Sequence, residues 1–452
     1  MLLYSILPVI TLINKFLSVI FVVSIFINML QIAVIREQKE ELIRRLRIKN
    51  FEATPLFDKL LAIDTERRRN QQELESLLAE QNALAKQIGD LYKSGKKAEA
   101  DELKNGNSAL KELSKKLEEQ LTELSKQLTD ILVRIPNAPS EKVPAGKTPE
   151  DNEVVYQTTQ PLPLLAADAL PHWELAQKYD TIDFELGNKI AGAGFPVYKG
   201  KGAKLQRALI NFFLDKATEA GYFEVQPPIL INEASGFGTG QLPDKEGQMY
   251  HVGIDNLFLI PTAEVPVTNI FRDVIVKAED FPVKYTAYTP CFRREAGSYG
   301  AHVRGLNRLH QFDKVEIVQL QHPDKSYATL EEMKEYVAGL LTQLELPYRI
   351  LKLCGGDMSF GSALTYDMEV YSAAQKMWLE VSSVSNFETF QANRLKLRFK
   401  EGNGKPQLAH TLNGSALALP RIVAALMENN QTPEGILIPS ALVPYTGFKI
   451  MN

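Results

Sequence analysis

The chain has 452 residues, of which 45% are hydrophobic and 23% are charged, and its formal net charge is −4. These values predict a soluble globular protein of two or three domains, and they exclude a protein that binds nucleic acid through its overall charge. The two cysteines, Cys291 and Cys354, provide no disulfide framework and too few thiolates for a structural zinc site. We therefore expect a reducing compartment, by default the cytoplasm.

The first 35 residues are almost entirely apolar. A helix that crosses a bilayer needs about 20 such residues, and the segment reaches this length when it is extended to Ile35. Arg36 and Arg44 would then follow on the positive side of the membrane. Residues 1–28 are therefore either a membrane anchor or signal-like segment, or an upstream extension that is a mis-assigned start or is absent from the mature protein.

Two stripes of apolar residues with three- and four-residue spacing occupy residues 57–135. The first comprises Leu74, Leu77, Leu84, Ile88 and Leu91, and the second comprises Leu110, Leu113, Leu117, Leu121, Leu124, Leu128, Ile131 and Ile135. This spacing predicts an antiparallel coiled-coil hairpin that reverses at Lys93-Ser-Gly-Lys96. Its basic residues alternate with acids, so charge alone does not distinguish an RNA-binding surface from a solvated one.

A proline-containing linker begins at Pro136, because proline removes a helix donor and restricts the residue before it. Beyond this boundary, mixed helical and alternating segments with proline and glycine punctuation predict an α+β body. Residues 204–220 have helical spacing, and residues 222–228 follow as a predicted strand. This pair fits a subunit interface, and it fits a buried core helix in a monomer equally well.

Residues 291–316 combine arginines, acids and an aromatic residue in one short stretch. The planar guanidinium groups of Arg293, Arg304 and Arg308 suit phosphate oxygens, and Phe312 could stack on a base. Glycines between Arg293 and Arg308 predict a turn that joins two facing strands. The segment therefore predicts a nucleotide site, whereas a solvated hairpin with ordinary surface arginines is the alternative.

Three short patterns in this stretch point to a known family. They are Arg293-x-Glu295, Gly305-Leu-x-Arg308 and His310-Gln-Phe-x-x-Val-Glu316, which resemble the second signature motif of class II aminoacyl-tRNA synthetases in the form found in bacterial-type seryl-tRNA synthetases. Residues 204–228 are similar to the first class II motif. Residues 410–421 are similar to the third motif, and a helix over residues 422–428 is predicted to follow it.

The resemblance implies an α+β fold with three parts. Residues 1–28 would be an apolar extension, because the sequence from Met29 to Arg36 is similar to the start of the family. Residues 29–135 would form an antiparallel α-helical coiled-coil arm that binds tRNA. Residues 136–452 would form a class II catalytic domain with an antiparallel sheet flanked by helices. The first motif implies a homodimer.

The reaction that the resemblance implies is the ATP-dependent attachment of L-serine to serine tRNA through a seryl-adenylate, with selenocysteine tRNA as a further candidate acceptor. Arg293 would neutralise the α-phosphate, while Arg308 and Arg421 would stabilise the departing pyrophosphate. Glu295 would bond the adenine amino group. The full set of implied ATP-binding residues is Arg293, Arg294, Glu295, Leu309, Phe312, Glu380, Val381, Ser382, Ser383 and Arg421.

The implied serine pocket comprises Thr262, Ala263, Glu264, Glu316, Asn413 and Ser415. Glu316 would bind the ammonium group, and Ser415, with Asn413 nearby, would meet the hydroxyl group, so that alanine would leave polar atoms unpaired. Glu380 and Ser383 would hold Mg²⁺ together with ATP, since phosphates and water can complete its octahedron. Asp367 and Glu369 are alternative acids. No zinc is expected, because neither cysteine is clustered with histidine.

On this resemblance the arm contacts the long variable arm of serine tRNA, and we predict that Lys93, Lys96 and Lys97 at its tip contact RNA phosphates. Two other functions remain open. A paralogue that activates an amino acid and loads a carrier protein would not need the full-length arm. A membrane-tethered coiled-coil adaptor, built on the apolar segment and the hairpin, would leave the arginines and the serine pocket unexplained.

Overall fold

The computed structural model describes residues 31–244, 246–295 and 303–452. The apolar extension predicted over residues 1–28 lies outside this range. The chain divides into two compact units. The first contains the described residues up to Ile43 together with Glu52–Ile135, and the second contains Arg44–Phe51 and Pro136–Asn452. Within the described part, no helix combines the length and the apolarity needed to cross a membrane.

The first unit is dominated by two long helices. Its helical segments are α1 (Ile32–Glu37), α2 (Lys39–Ile48), which continues into the second unit, α3 (Thr54–Lys93) and α4 (Lys97–Leu132). Pro55 stands in the first turn of α3, where its missing N–H costs nothing. Gly95 adopts a φ of 77° between α3 and α4, a conformation that glycine reaches without a steric penalty. The predicted reversal at residues 93–96 is confirmed.

The seam between α3 and α4 is mainly apolar, and Gln81 is one of its polar interruptions. Leu74 packs with Leu117 and Leu121 across the seam. Gln81 breaks the apolar stripe of α3, and its amide donates to the Leu110 carbonyl oxygen at 2.8 Å and to the Ser114 hydroxyl at 3.0 Å. Because these bonds satisfy the buried part of the amide, the interruption fixes the pairing of the helices without leaving an unpaired donor there.

The second unit contains the remaining helices and all the described strands. The helices are α5 (His172–Lys178), α6 (Phe184–Ala191), α7 (Gly200–Glu219), α8 (Glu233–Thr239), α9 (Glu264–Asn269), α10 (Ser326–Gln343), α11 (Phe390–Leu395), α12 (Leu419–Asn429) and α13 (Val443–Thr446). The strands are β1 (Glu153–Gln157), β2 (Ile182–Asp183), β3 (Val197–Tyr198), β4 (Phe223–Glu224), β5 (Leu230–Asn232), β6 (His251–Val252), β7 (Leu257–Leu259), β8 (Ile275–Lys277), β9 (Val283–Phe292), β10 (Gln311–Gln321), β11 (Tyr348–Lys352), β12 (Leu364–Ser372), β13 (Met377–Asn386), β14 (Arg398–Lys400), β15 (Gln407–Leu408), β16 (His410–Ala418), β17 (Gln431–Thr432), β18 (Gly435–Leu437) and β19 (Ile450–Met451).

An eight-stranded sheet organises this unit. Its strand order is β1-β11-β12-β13-β16-β10-β9-β4. Neighbouring strands are antiparallel except for β4 and β9, which are parallel. The predicted antiparallel sheet is therefore a mixed, mainly antiparallel sheet in an α+β fold.

The two faces of the sheet are covered differently. On one face, Phe213 of α7, Leu330 of α10 and Leu426 of α12 are buried in the same core cluster as Met368 and Leu412 of the sheet. Each such side chain contributes about 1.5–3 kcal/mol on burial. On the other face the short helix α9 packs on β9 and β10 in a small cluster. The larger core thus holds the sheet, while the second face leaves room for polar side chains.

Several predicted elements differ from the structure in extent. The helix predicted over residues 204–220 spans Gly200–Glu219. The strand predicted over residues 222–228 is confined to Phe223–Glu224, because Pro227 and Pro228 have no N–H groups with which to extend a ladder. The helix after the third motif begins at Leu419, three residues before the predicted start. Pro420 occupies its first turn, where proline is favourable.

Candidate active site

The residues of the implied serine pocket meet on the second face of the sheet. Glu316 of β10 lies opposite Ser415 of β16 in the antiparallel register, and Asn413 lies two residues before Ser415 on the same strand. Side chains two residues apart in a strand point to the same face. Residues 262–264 lie at the start of α9, which packs on this face through Ala263. The structure therefore brings the six residues to one place.

Glu316 is held by two buried partners. The Thr262 hydroxyl donates to Glu316 Oε2 at 3.1 Å, and Lys314 Nζ lies 2.5 Å from the same oxygen. The side chains of Lys314 and Glu316 are only 6% and 2% exposed. Lys314 was not among the predicted site residues, although its spacing of two residues from Glu316 on a strand places both on one face. A buried pair of this kind adds little net stability, so its value lies in fixing the carboxylate.

Glu264 is the second buried carboxyl group of the pocket. Gln391 Nε2 donates to Glu264 Oε1 at 2.6 Å, and the Thr411 hydroxyl donates to Gln391 Oε1 at 2.7 Å. Burial and, next, the nearby charge of Glu316 raise the pKa of Glu264 to about 7. The pocket therefore contains an acid that changes its charge near neutral pH. Gln391, which orients it, was also missed.

Asn413 carries an unused hydrogen-bond donor. It lies close enough to Glu264 to lower the pKa of that carboxyl group, yet its buried Nδ2 reaches no acceptor among the described residues in hydrogen-bonding geometry. A buried donor without a partner costs about 1–3 kcal/mol, and a polar ligand can recover this cost. The carbonyl oxygen of neighbouring Ser415 accepts a bond from the Ser382 hydroxyl at 2.5 Å. Ser382 thus supports the pocket strand.

The hairpin of β9 and β10, which carries the second motif, contains several of the residues predicted to bind ATP. The Arg293 guanidinium lies over the Phe312 ring, 5.3 Å from its centroid. Arg308 Nε is ion-paired with Glu295 Oε2. Residues 296–302 of the predicted turn lie outside the described residues. The hairpin therefore places two cations and an aromatic face together, and Glu295, predicted to bond adenine, is paired with Arg308 in this structure.

Other predicted members of the nucleotide site have different surroundings. The Arg304 guanidinium stacks on Trp173 at 4.7 Å from the ring centroid. The side chains of Leu309 and Val381 are buried in the main core, so their contribution to a ligand is limited to backbone groups. The backbone N–H of Arg294 bonds to a loop carbonyl at 2.8 Å.

Arg421 connects two parts of the site from the start of α12. Its Nε donates to the Asn307 carbonyl oxygen at 2.9 Å, and its Nη1 donates to the Glu380 carbonyl oxygen at 2.7 Å. The Glu380 carboxylate lies 3.9 Å from the same nitrogen. The third-motif arginine is therefore placed between the second-motif segment and β13. Its contact with the pyrophosphate and the stacking of Phe312 on a base stay predictions.

The residues predicted to hold magnesium lie on β13 beside β12. The Ser383 hydroxyl donates to Asp367 Oδ1 at 2.5 Å across the two strands. Burial and, next, the charge of Glu380 raise the pKa of Asp367 well above its ordinary value. Glu369 is engaged in an ion pair with Arg349. Of the two alternative acids, Asp367 lies opposite Ser383 and Glu369 lies opposite Glu380 in the register of β12 and β13.

These oxygens do not form a complete metal cage. In the ranges that the structure covers, no three His, Cys, Asp or Glu side chains are arranged to hold a metal ion. Mg²⁺ normally keeps several waters and uses substrate phosphates as ligands. The chemistry of Glu380 and Ser383 therefore fits a magnesium ion that arrives with ATP.

The tip of the helical arm presents its lysines to solvent. The side chains of Lys93 and Lys96 are 83% and 57% exposed, and Lys97 is exposed as well. Lys93 and Lys96 lie 3.9 Å and 3.1 Å from Asp90 and Glu99. Because exposed pairs are weak, phosphate groups can compete for these ammonium groups.

Comparison with known proteins agrees with this geometry. Residues 29–139 match the Seryl-tRNA synthetase N-terminal domain, and residues 250–430 match the tRNA synthetase class II core domain (G, H, P, S and T). The chain is 52% identical over 422 residues to the serine–tRNA ligase of Salinibacter ruber, covering 93% of this chain and 98% of the relative. It is 47% identical over 424 residues to that of Chlorobium luteolum, with the same coverage.

A solved structure supports the same assignment. The crystal structure of seryl-tRNA synthetase from Pyrococcus horikoshii complexed with ATP is 32% identical to this chain, with a TM-score of 0.85. The match covers 93% of this chain and 99% of that chain. Sequence, domain content and fold therefore agree over nearly the whole length, and the chain belongs to the seryl-tRNA synthetase family.

Proposed function

We propose that this chain is a serine–tRNA ligase that works in two steps. Serine and ATP first give seryl-adenylate and pyrophosphate, and the terminal ribose hydroxyl of serine tRNA then takes the seryl group. One observation carries the proposal. The Glu316 carboxylate, the Thr262 hydroxyl and Asn413 Nδ2, which has no acceptor among the described residues, are buried together on the sheet, beside the arginines of two class II motifs.

The pocket has the chemistry to recognise serine. We assign the ammonium group to Glu316, whose contacts with Lys314 and Thr262 hold the carboxylate in place before serine arrives. Asn413 and Ser415 would meet the hydroxyl group. A site built to bond a hydroxyl group rejects the analogue without it by a factor of about 10⁴–10⁵, because buried polar atoms are left unpaired. Alanine is therefore a poor substrate, and threonine is excluded by its additional methyl group.

Adenylate formation needs positioning and charge neutralisation. The serine carboxylate is itself the nucleophile, so no strong protein base is required when it attacks the α-phosphorus in line. Arg293 would neutralise the α-phosphate, and Arg308 and Arg421 would stabilise the pyrophosphate. In the structure the last two contact Glu295 and Glu380. Phosphate oxygens can replace these partly exposed contacts at little net cost.

Mg²⁺ is proposed to bind beside Arg421, held by Glu380 and Ser383 with Asp367 behind them. When bound, the ion would neutralise charge on the phosphates. The Ser383 hydroxyl is oriented by Asp367, whose raised pKa is that of a buried carboxyl group close to another acid. Calorimetric titration of Mg²⁺ with a non-hydrolysable ATP analogue tests the site. Glu380→Gln should weaken this Mg²⁺ binding, and unchanged binding would contradict the assignment.

The arm is proposed to position tRNA through backbone phosphates near Lys93, Lys96 and Lys97, with residues 29–135 as the arm and 136–452 as the catalytic domain. Serine tRNA is the proposed acceptor, and selenocysteine tRNA is a second acceptor to be tested in the same assay. Phosphate contacts of this kind fix position rather than read sequence. We further propose that the protein works in the cytoplasm.

A homodimer is proposed through α7 and β4. A cavity of about 500 Å³ lies there, lined by Gln206, Arg207 and Ile210 of α7 and by Glu224 of β4. Phe223 on this edge strand is 64% exposed. An exposed edge strand with an apolar side chain favours pairing with another subunit. Light scattering of the purified chain tests the proposal, and a monomer at micromolar concentration would contradict it.

The test of the overall function is charging of total tRNA by the purified chain with serine and ATP. Serine-specific charging is expected. Serine-dependent ATP–pyrophosphate exchange without charging would favour an enzyme that loads a carrier protein. A folded chain that shows neither reaction would contradict the proposed function and return attention to the coiled-coil adaptor.

A further inference from the structure

A buried histidine lies directly beneath the second-motif segment. His172, the first residue of α5, has no solvent exposure. Its Nε2 accepts a hydrogen bond from the Leu306 backbone N–H at 2.8 Å, and its Nδ1 lies 2.7 Å from Glu428 Oε1. Since Nε2 must be the acceptor, Nδ1 carries the hydrogen and donates to the carboxylate. The two partners therefore fix one tautomer of the ring.

The Glu428 carboxylate accepts hydrogen bonds from several donors. Its Oε1 accepts from the backbone N–H of His172 at 3.0 Å and from Gln375 Nε2 at 2.9 Å, and its Oε2 accepts from the Ser372 hydroxyl. Burial opposes ionisation of Glu428, but the hydrogen bonds from His172 and Ser372 outweigh it and keep the pKa of this carboxyl group below its ordinary value. The carboxylate is thus a fixed anchor.

The same network holds the second-motif segment at further points. Gly305 adopts a φ of 66°, and a Cβ atom placed on it would lie 2.2 Å from His172 Nε2, so only glycine permits this approach. The Asn307 amide donates to Gln375 Oε1 at 2.7 Å. Next to His172, Trp173 carries the Arg304 guanidinium on its ring. Residues 304–307 are therefore seated on His172 and the groups around it.

The same network includes Arg421, the arginine of the third motif. Arg421 and Glu428 belong to the same helix, α12, and are seven residues apart, which places them on one face about two turns from each other. Arg421 Nε bonds to the Asn307 carbonyl oxygen at 2.9 Å. The helix that supplies Arg421 thus also supplies the carboxylate that, through His172, holds the segment that Arg421 contacts.

We propose that His172 is a positioning residue for ATP, because it holds residues 306–308 in a fixed position relative to Arg421. The proposal rests on the proposed function of Arg308 and Arg421 as ligands of the ATP phosphates. His172 would act through these two arginines and would touch neither serine nor the reacting phosphorus. Its loss should therefore change the use of ATP and leave the use of serine nearly unchanged.

Two substitutions of His172 distinguish the contributions of its two ring nitrogens. His172→Asn keeps a donor near the position of Nδ1 and removes the acceptor for the Leu306 N–H. His172→Gln keeps an acceptor near the position of Nε2. In ATP–pyrophosphate exchange we expect His172→Asn to raise the KM for ATP about tenfold, since a buried N–H loses its partner, and to change the KM for serine less than about twofold. For His172→Gln we expect a KM for ATP within about threefold of that of the parent chain.

A second variant and a control keep the test decisive if His172→Asn does not fold. Gln375 is only half-buried, and Gln375→Met removes the bond to Asn307. It should raise the KM for ATP about threefold with serine unaffected. His322→Asn, at a partly exposed histidine that pairs with Glu401, should change neither KM.

The outcomes separate this inference from the proposed function. Equal changes in both KM values, or no change for ATP in the folded variants, would overturn the positioning function of His172 while leaving the proposed function intact. Absence of serine-dependent exchange by the parent chain would overturn the proposed function, and this inference with it.

Discussion

The serine pocket and the ATP side of the same sheet are built in opposite ways. In the pocket, Lys314 and Glu316 are almost fully buried and their positions are fixed before any ligand binds. On the ATP side, Arg308 and Arg421 remain 41% and 30% exposed. A small ligand that must be distinguished by one hydroxyl group requires a dry, preorganised site. A large anion requires strong cations that can exchange partners, and partly exposed arginines provide them.

The comparison also explains where unpaired atoms occur. Asn413 Nδ2 is buried without an acceptor among the described residues, whereas Arg421 donates two hydrogen bonds to backbone carbonyl groups. Asn413 Nδ2 can thus donate a hydrogen bond to a ligand and add to its binding free energy, while Arg421 is held in position by main-chain atoms. Three predictions test this difference and a fourth tests the helical arm, beginning with the largest expected effect.

Arg421→Ala should lower the rate of serine-dependent ATP–pyrophosphate exchange by about a thousandfold, because removal of a positive charge that stabilises the transition state has effects of this size. The melting temperature should change little, since the side chain is partly exposed. Arg398→Ala, at an exposed arginine of β14, is the control. Near-normal exchange by Arg421→Ala would contradict the assignment of this residue to the phosphates.

Glu316→Gln should raise the KM for serine about a hundredfold, because a buried hydrogen-bonded charge contributes about 2–5 kcal/mol to the binding of its partner. The KM for ATP should change much less, which would separate the two halves of the site. Steady-state exchange kinetics measure both constants. A parallel increase in both values would show that Glu316 supports the sheet rather than the ammonium group.

The pH dependence of serine binding should follow Glu264. Its pKa of about 7 exceeds the ordinary value, so the carboxyl group is protonated below this pH. The serine ammonium favours the ionised form, and the KM for serine should therefore fall as the pH rises toward 7, by up to about tenfold per unit. Glu264→Gln should remove this dependence. A KM for serine that is constant between about pH 5.5 and pH 8 in the parent chain would contradict the prediction.

Charge reversal of Lys93, Lys96 and Lys97 should weaken tRNA binding about tenfold and reduce its salt dependence, because fewer counterions are released. Serine activation without tRNA should not change. Filter binding at several salt concentrations measures the slope. Reversal of Lys277, an exposed lysine of the second unit, is the control. An unchanged affinity and slope in the triple variant would show that the tip does not contact RNA.

Local sequence patterns predicted the helical arm well. The sheet was harder to predict, because it depends on contacts between residues far apart in the sequence. The stripe of leucines and the Lys93-Ser-Gly-Lys96 reversal follow from short-range periodicity, so both were predictable. The order of the eight strands depends on pairings between distant segments, and no periodicity in the sequence records it. The prediction of a sheet came from the family resemblance rather than from the strands themselves.

The site shows the same limit. The residues that the family resemblance assigns to ligand binding lie in recognisable motifs. Most of the residues that hold them in position do not. Gln391 reaches Glu264 across 127 residues of sequence, and Glu428 reaches His172 across 256. Asp367 was predicted only as an alternative acid, and its position opposite Ser383 is apparent only from the strand register. Lys314 was within reach, since its two-residue spacing from Glu316 predicts a shared face.

The most direct test of the preorganised pocket is ATP–pyrophosphate exchange by the purified chain with serine, alanine, glycine and threonine. The buried pair of Lys314 and Glu316, together with Asn413 Nδ2, which lacks an acceptor among the described residues, predicts a kcat/KM for serine at least about a thousandfold above that for alanine. Glycine and threonine should be no better than alanine. Comparable exchange with serine and alanine would show that the hydroxyl group is not recognised, and would contradict the central claim.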